Sequence, residues 1–433
     1  MSSITRISGR GHKTFQALLL LLASPLFVVR GTGGQGVIAN PTPAMNLTPP
    51  AVEDTVTENP MNVFLPNGVG EDNTQPKPFK YGMVTLRPHV DYSFSYTDGL
   101  LASPTNHQAT AINTITAGLA VDLGPHWALD YTPTIRFYSN SQFKDGVDHA
   151  LSLVGGTRYE DWLFGLSQSF AYSTAPTAET GTQTEQYLYG TGLTASHVLN
   201  DKLSLDLGLS QDISDAAGLQ SSRSWSTMDW LNYQFWPRLS IGVGAGAGYV
   251  NEDIGPDQTF EMLQGRVKWR ATDKLSIQLS GGGEDRQYSA SSQPNSFNPT
   301  FAGAIQYKPF DRTEIALTGS RSISPSVIPG LNTTSTGFSL SLDQALFKKF
   351  KLDLSASYGT SKFVELIEPF PGIPLYLQQA RTDDNYTLSA RLSHPFLKRG
   401  TVSVFYQYTD NQSSKSGFGY RSNQVGFDLS YRY

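Results

Sequence analysis

The last eleven residues, 423–433, read NQVGFDLSYRY and alternate apolar with polar side chains. Because successive side chains of a β-strand point to opposite faces, this stretch predicts a strand with one apolar and one polar face. Chain ends usually fray, so a soluble domain would gain little from such a strand at its end. In a closed membrane barrel, the last strand pairs with the first and its apolar face meets hydrocarbon. The apolar positions are Val425, Phe427, Leu429, Tyr431 and Tyr433.

The same alternation recurs through the chain, for example in DKLSLDLGLS (201–210) and KLSIQLSGGG (274–283). Tight polar turns such as LNDK (199–202) and ATDK (271–274) return about every 35 to 40 residues. Each turn lies between two alternating runs of about ten to fourteen residues, which is long enough for a tilted membrane strand. A β-propeller blade would place four shorter strands in that length, so the pattern favours a membrane barrel.

The predicted fold is all-β: a transmembrane antiparallel up-and-down β-barrel of about 18 strands. An even number places both ends of the barrel on the side of the short turns, which is the periplasmic side in bacterial outer membranes. The predicted strands start near residues 82, 107, 126, 147, 161, 185, 202, 222, 238, 258, 274, 297, 312, 334, 350, 381, 400 and 419.

The N-terminal segment has the pattern of a secretory signal. Arg6, Arg10 and Lys13 precede an apolar run at 17–29, which is too short to span a bilayer as a helix. We therefore predict a signal peptide at 1–39 with cleavage near 31 or 39. Residues 40–80 are rich in proline and predict a disordered periplasmic segment, which is a candidate to plug the barrel or to hold a periplasmic partner. The barrel is assigned to residues 81–433.

Composition excludes several classes of function. The net charge of -5 gives no reason to expect nucleic-acid binding, and the absence of cysteine excludes disulfides and thiolate chemistry. Seven histidines are scattered without metal-ligand spacing, so we expect no metal and no cofactor. No Ser–His arrangement stands out either, and we expect no catalytic residues and no enzyme activity.

The leader, the aromatic end and repeated turns such as YKPFDRTEIALTGSRS (307–322) resemble the β-barrel porins of Gram-negative bacteria, near a group associated with exopolysaccharide gene sets. The resemblance covers residues 81–433 and transfers no functional residue. It implies a bacterial outer membrane, with lipid and lipopolysaccharide as surroundings. Further implied partners are the outer-membrane assembly machinery, polysaccharide-export components and a second copy of the chain. The C-terminal assembly signal would be Phe427, Leu429, Tyr431 and Tyr433.

Eighteen strands enclose a lumen too wide for side chains to fill, so charged residues on the polar faces are candidates to line a pore. Alternatively, they pair across neighbouring strands and brace the wall. The stripe Arg266, Lys268 and Arg270 predicts an acidic partner or an anionic solute nearby. The candidates are Arg87, His89, Asp91, Asp130, Arg136, Arg266, Lys268, Arg270, Glu284, Arg286, Arg391 and Asp428.

Two further stretches are unusual. IGVGAGAGYV (241–250) places four glycines on the inward face, which Met228 and Trp230 of the preceding strand would cover unless a loop or a ligand packs there. The loop at 364–380 carries three prolines and predicts a rigid lid or an infolded restriction.

The expected function is passive diffusion of small hydrophilic solutes. Two alternatives stay open: a component of exopolysaccharide export, and a structural or adhesive barrel with a closed lumen.

Overall fold

A computed structural model describes residues 79–100, 108–177, 179–289, 295–347, 349–366 and 377–432. These ranges form nineteen antiparallel strands in one sheet. Eighteen of them, β2 to β19, close into a barrel in which each strand pairs with its neighbours in the chain and β19 pairs with β2. The predicted fold class and strand number are therefore confirmed.

The strands are long, mostly thirteen to sixteen residues. Their bounds are β1 Phe79–Tyr81, β2 Val84–Thr97, β3 Thr110–Leu123, β4 Trp127–Tyr138, β5 Gly146–Tyr159, β6 Trp162–Ser173, β7 Gln186–Asn200, β8 Leu203–Ala216, β9 Ser222–Trp236, β10 Leu239–Glu252, β11 Gln258–Thr272, β12 Leu275–Tyr288, β13 Ser296–Phe310, β14 Thr313–Pro325, β15 Leu331–Leu346, β16 Phe350–Glu365, β17 Arg381–Phe396, β18 Gly400–Ser413 and β19 Tyr420–Arg432.

Each of the eighteen barrel strands begins within three residues of its predicted start. The largest differences are at β3 and β15, where the polar loop before the strand gives no sharp end to the alternation. The predicted signal peptide and nearly all of the proline-rich segment lie outside the described residues. Among the residues that are described, no helix is long and apolar enough to cross a bilayer.

The closing seam explains the apolar end of the chain. Phe427 lies opposite Phe94 on β2, and their rings are 5.8 Å apart. The pairing of β19 with β2 ends at His89, and the short strand β1 continues along the same edge of β2. The backbone groups of the seam are thus paired, as a membrane barrel requires. Tyr433 lies outside the described residues.

The outward face carries an apolar belt between two aromatic rims. Near the periplasmic ends of the strands, Trp162 stacks on His197 with ring centres 4.6 Å apart. Near the outer ends, Tyr172 and Tyr187 are 4.8 Å apart. Amphipathic rings of this kind favour the two membrane interfaces. The rims therefore mark the membrane-spanning part of the barrel.

The hydrogen-bonded ladder climbs as it passes around the barrel. We followed the row of paired residues once around the barrel, from β9 through β10 and the other strands back to β9. The row returns to β9 about 22 residues nearer the outer end than where it started. With a rise of about 3.3 Å per residue and about 4.8 Å between strands, the strands tilt by about 40°. A row of paired residues thus rises by about 3 Å at each step to the next strand.

Candidate functional site: the lumen and the outer mouth

The twelve charged or histidine candidates lie on the face opposite to the exposed apolar residues. On β19, Phe427 and Leu429 are exposed on the outward face, and Asp428 between them is buried on the inward face. On β11, Leu263 and Trp269 are outward, and Arg266, Lys268 and Arg270 share the inward face. The alternation therefore orients these side chains, while a role in passage stays a prediction.

Many of the inward charges form ion pairs, several of them with charges of another strand. Arg87 pairs with Asp122 at 2.7 Å, across the β2–β3 ladder. Opposite charges on adjacent strands stabilise a sheet and cancel much of each other's field. The lumen wall is thus largely charge-compensated. Further pairs between strands join Arg136 with Asp148, Arg266 with Asp206, Lys351 with Asp343, and Arg391 with Asp428.

The basic stripe on β11 has the acidic partner that its pattern predicted. The guanidinium of Arg266 reaches two strands beyond β10 and binds the carboxylate of Asp206 on β8. On the way, its Nε donates to Oδ1 of Asn232 at 2.7 Å. Arg266 therefore neutralises a carboxylate of the wall, and Lys268, closer to the periplasmic end, is more exposed to the lumen.

The glycine strand β10 makes room for the side chains of its neighbours. A Cβ on Gly244 would lie 2.6 Å from the ring of Trp230 and 2.9 Å from Cε of Met228. The guanidinium of Arg266 lies 4.4 Å from the centre of that ring. The predicted cover by Met228 and Trp230 is confirmed, and within the described residues these side chains fill the place suggested for a ligand.

Two predicted pore-lining residues need a correction. Glu284 and Arg286 point inward, but they are almost fully buried under the outer loops. Arg286 donates to Oε1 of Glu284 at 2.6 Å and to Oε1 of Gln258 at 2.7 Å. Asn332, next to the outer loop 326–330, completes the network by bonding Gln258. The alternation correctly predicted that both side chains point inward. They do not line the open lumen, however, because segments distant in the sequence bury them.

An outer loop between β6 and β7 crosses the mouth of the barrel. We call residues 174–177 and 179–185 the outer bridge. Oε2 of Glu179 accepts hydrogen bonds from Ser326 Oγ at 2.9 Å and from the Val327 amide at 3.1 Å. In a ring of eighteen strands, the point opposite β6 and β7 lies nine strands away, between β15 and β16. The bridge therefore meets the far wall, and it restricts the outer entrance.

Arg381, the first residue of β17, clamps the far end of the bridge. Its guanidinium lies 4.0 Å from the ring centres of both Phe363 and Phe418. It donates to Asp383 at 2.9 Å and to the backbone oxygen of Glu179 at 3.1 Å. The side chain is fully buried. Stacking between two aromatic faces and pairing with a carboxylate together compensate for the burial of this charge.

An apolar cluster supports the clamp. Ile328 and Leu331, next to the contact with Glu179, pack with Phe363, Leu377 and Phe418 from other outer segments. Leu377 belongs to the loop for which the sequence predicts a rigid lid or an infolded restriction, and its side chain is buried; either role of the loop stays a prediction. The three prolines of that loop lie outside the described residues.

Burial raises the pKa of the Glu179 carboxyl, since the ionised form loses its hydration at the bridge contact. A raised pKa means that the bridged state binds the proton more tightly than an open state with Glu179 in water. The bridge contact is therefore strengthened as the pH falls through the raised pKa, and weakened as the pH rises through it.

We therefore expect the single-channel conductance of the wild-type protein to fall on acidification. In Glu179→Gln, which stays neutral and keeps an acceptor oxygen, conductance should be low at every pH. Planar-bilayer recordings between about pH 4 and pH 8 would measure both profiles. A wild-type profile that matches the profile of Glu179→Gln would contradict this role for the carboxyl.

The sequence gives little indication that this loop crosses the mouth of the barrel. Its stretch STAPTAETGTQ (173–183) has the polar, turn-rich composition of any exposed loop. One acidic residue in such a loop does not reveal a partner 147 positions further along the chain.

One family model matches the chain, the family described as "Putative beta-barrel porin 2". The match covers residues 258–433, which comprise β11 to β19 and make up less than half of the chain. No curated protein matches.

Several solved outer-membrane proteins are similar to the chain at low sequence identity. OccAB3 of Acinetobacter baumannii is 9% identical with a TM-score of 0.46, covering 82% of this chain and 100% of its own. OpdQ of Pseudomonas aeruginosa is 10% identical with a TM-score of 0.43, covering 82% and 99%. A structure described as a bacterial polysaccharide outer membrane secretin is 9% identical with a TM-score of 0.35, covering 80% and 98%. Likenesses at this level do not bear on the activity of this chain.

The closed barrel, its two aromatic rims and the family match agree on one assignment. The chain is a bacterial outer-membrane β-barrel, and its residues 258–433 are similar to the family described as "Putative beta-barrel porin 2".

Proposed function

We propose that the barrel is a passive channel for small hydrophilic solutes and that the outer bridge limits their size. The observation that carries this proposal is a polar, charge-compensated inner wall. Hydroxyl pairs line several inward positions, among them Ser355 with Ser389 and Ser210 with Ser226, each 2.7 Å apart. Such a wall hydrates easily and favours neither sign of charge strongly.

Conductance of the refolded protein in a planar bilayer tests this proposal. Stable stepwise currents with weak ion selectivity support it. The absence of any current would contradict the channel proposal, provided that heat-modifiable migration on a gel shows that the protein is correctly folded. Recordings with and without residues 40–80 show whether the proline-rich segment acts as the predicted plug.

Removal of the guanidinium of Arg266 should shift selectivity toward cations. In Arg266→Gln, Asp206 keeps its charge and loses its ion-pair partner, so the wall gains net negative charge. The reversal potential in a salt gradient measures the shift. Arg238→Gln is a matched control, because Arg238 pairs with Asp273 at an exposed periplasmic turn. An equal shift in both variants, or none in either, would contradict this role for Arg266.

A barrel with a closed lumen is the second candidate, and the outer bridge is the observation that favours it. A barrel that the bridge closes would show no current until the bridge is removed, whereas a channel would conduct with the bridge in place and conduct more without it. A role in polysaccharide export stays a prediction, to be tested by deleting the gene and measuring secreted polymer.

A further inference from the structure

The short strand β1 shows from which direction the N-terminal segment reaches the barrel. β1 is antiparallel to β2, with Phe79 opposite Leu86 and Tyr81 opposite Val84. Because β2 runs from the periplasmic end of the wall toward the outer end, β1 runs the opposite way. The chain therefore arrives at Phe79 from deeper in the barrel and reaches the periplasmic edge only at Tyr81.

The wall above β1 has no place for the residues that precede Phe79. The last strand, β19, occupies the same edge of β2 and ends at Arg432, which lies opposite His89. Only two residues of β2, Arg87 and Pro88, separate His89 from the residue that pairs with Phe79. Further strand residues at this level would meet β19, so the chain has to leave the sheet on its inner or its outer side.

The composition of the segment favours the inner side. Residues 70–77 read GEDNTQPK, with two carboxylates, a lysine and two amides. On the outer side they would meet the aromatic rim and hydrocarbon, where charged groups are costly. On the inner side they meet water and a wall that carries hydroxyl pairs and ion pairs. The lumen is therefore the more favourable path for this stretch.

Across the lumen, on the opposite wall, lies a lysine that forms no ion pair with the described carboxylates. Lys268 is on β11, nine strands from β2 in a ring of eighteen, and its side chain is exposed on the inward face. Its neighbour in the basic stripe, Arg266, already binds Asp206. In the ladder, Ser240 and Gln278 lie on either side of Lys268 and bring no charge. The wall therefore has a local excess of positive charge at Lys268.

The N-terminal segment carries the complementary charge. Between residues 40 and 78 there are five carboxylates and one lysine, which gives this stretch a net charge of -4. Three of the carboxylates lie close together in the sequence, at Glu53, Asp54 and Glu58. Charges of opposite sign attract each other more strongly inside a confined cavity with low-dielectric walls than on an open surface.

The length of chain between the wall and these carboxylates suits the width of the lumen. The backbones of β2 and β11 are about 36 Å apart, and the side chain of Lys268 shortens the gap to about 30 Å. Glu58 precedes Phe79 by 21 residues. A flexible chain of this length spans about 25 Å on average, and prolines extend it further. A tether whose average span matches the gap gives the highest effective concentration at its far end.

We propose that the N-terminal segment lies across the periplasmic half of the lumen and that its acidic stretch, residues 53–58, binds Lys268. The inference does not depend on the channel proposal, because it concerns the position of the segment and not the passage of solutes. A single extended chain is about 5 to 10 Å wide, and the inward side chains of eighteen strands leave a lumen about 24 Å wide. The segment therefore narrows the lumen without closing it.

Disulfide cross-linking tests this contact, since the chain has no cysteine of its own. In Thr57→Cys/Ser240→Cys both charges stay in place, because Thr57 precedes Glu58 and Ser240 lies opposite Lys268 in the ladder. Oxidation of the folded protein with copper phenanthroline should join the two cysteines within one chain. Peptide mapping by mass spectrometry measures the linked fraction, which should return to zero on reduction.

Two matched controls combine Thr57→Cys with another position of the wall. Ser152 faces the lumen on β5, nearer to β1 than Ser240 is, and Ile241 faces lipid directly after Ser240. Ser152→Cys and Ile241→Cys should both link several-fold less than Ser240→Cys. Adding Lys268→Glu to Thr57→Cys/Ser240→Cys should lower the linked fraction to the level of the controls. Equal linking at Ser152 and Ser240, no link at Ser240, or a link that Lys268→Glu leaves unchanged overturns the proposal.

Limited proteolysis covers the case in which the cysteine variants do not fold. The protease Glu-C cuts after Glu58, and binding to Lys268 should protect this bond in the folded wild-type protein. Lys268→Gln should be cut several-fold faster, whereas Lys274→Gln, at an exposed periplasmic turn, should be cut at the wild-type rate. Equal rates for all three proteins overturn the contact. That result would leave the channel proposal untouched, because planar-bilayer recordings test it separately.

Discussion

Replacing the outer bridge, residues 174–185, with a short Gly–Ser linker is expected to raise single-channel conductance several-fold. The bridge meets the opposite wall through Glu179, Ser326 and Val327, so it occupies the centre of the outer entrance. Without it, the access path widens toward the width of an eighteen-strand lumen. Planar-bilayer recordings at high salt would measure the change.

Lys415→Ser, on the exposed β18–β19 loop, is a suitable control for the loop replacement, because it changes an outer loop and leaves the contacts of Glu179 in place. Its conductance should equal that of the wild type. If the bridge replacement also left conductance unchanged, the restriction would lie elsewhere in the lumen.

Arg381→Ala is expected to destabilise the outer half of the barrel by about 3 to 5 kcal/mol, because it leaves a buried carboxylate without its partner. The change removes the bond to Asp383, the bond to the Glu179 carbonyl and both aromatic contacts. The urea midpoint, followed by tryptophan fluorescence, should fall. The variant should also conduct more than the wild type, because the clamp on the bridge is lost.

The control for Arg381 is Arg421→Ala. Arg421 pairs with Asp410 at 3.3 Å, but its side chain is 70% exposed, and such surface pairs contribute at most about 1 kcal/mol. Equal urea midpoints for the two variants would show that the Arg381 clamp adds no more than an ordinary surface pair.

The barrel was predictable because its pattern is local. Alternation with a period of two sets the face of every side chain, and tight turns set the strand ends. Thus Arg266 and Asp428 were assigned to the inward face from their neighbours alone. The basic stripe also indicated a nearby acidic partner, which the structure identifies as Asp206.

The outer mouth was not predictable because its contacts join distant parts of the chain. Glu179 and Ser326 are 147 positions apart, and no local periodicity records their meeting. The same limit applies to Arg286, whose direction follows from alternation but whose burial depends on outer segments such as the one containing Asn332. Loop composition alone gave no signal for either contact.

We propose that the lumen conducts and that it is narrowest at its outer mouth. The most direct test of this proposal is the single-channel current of the wild-type protein with neutral polymers of graded size added to one side at a time. Polymers of intermediate size should enter the lumen and lower the current when they are added to the periplasmic side, and should have no effect when they are added to the outer side. The proposed outer restriction would be contradicted if these polymers were excluded from the lumen only when added to the periplasmic side. It would also be contradicted if they were excluded equally from both sides.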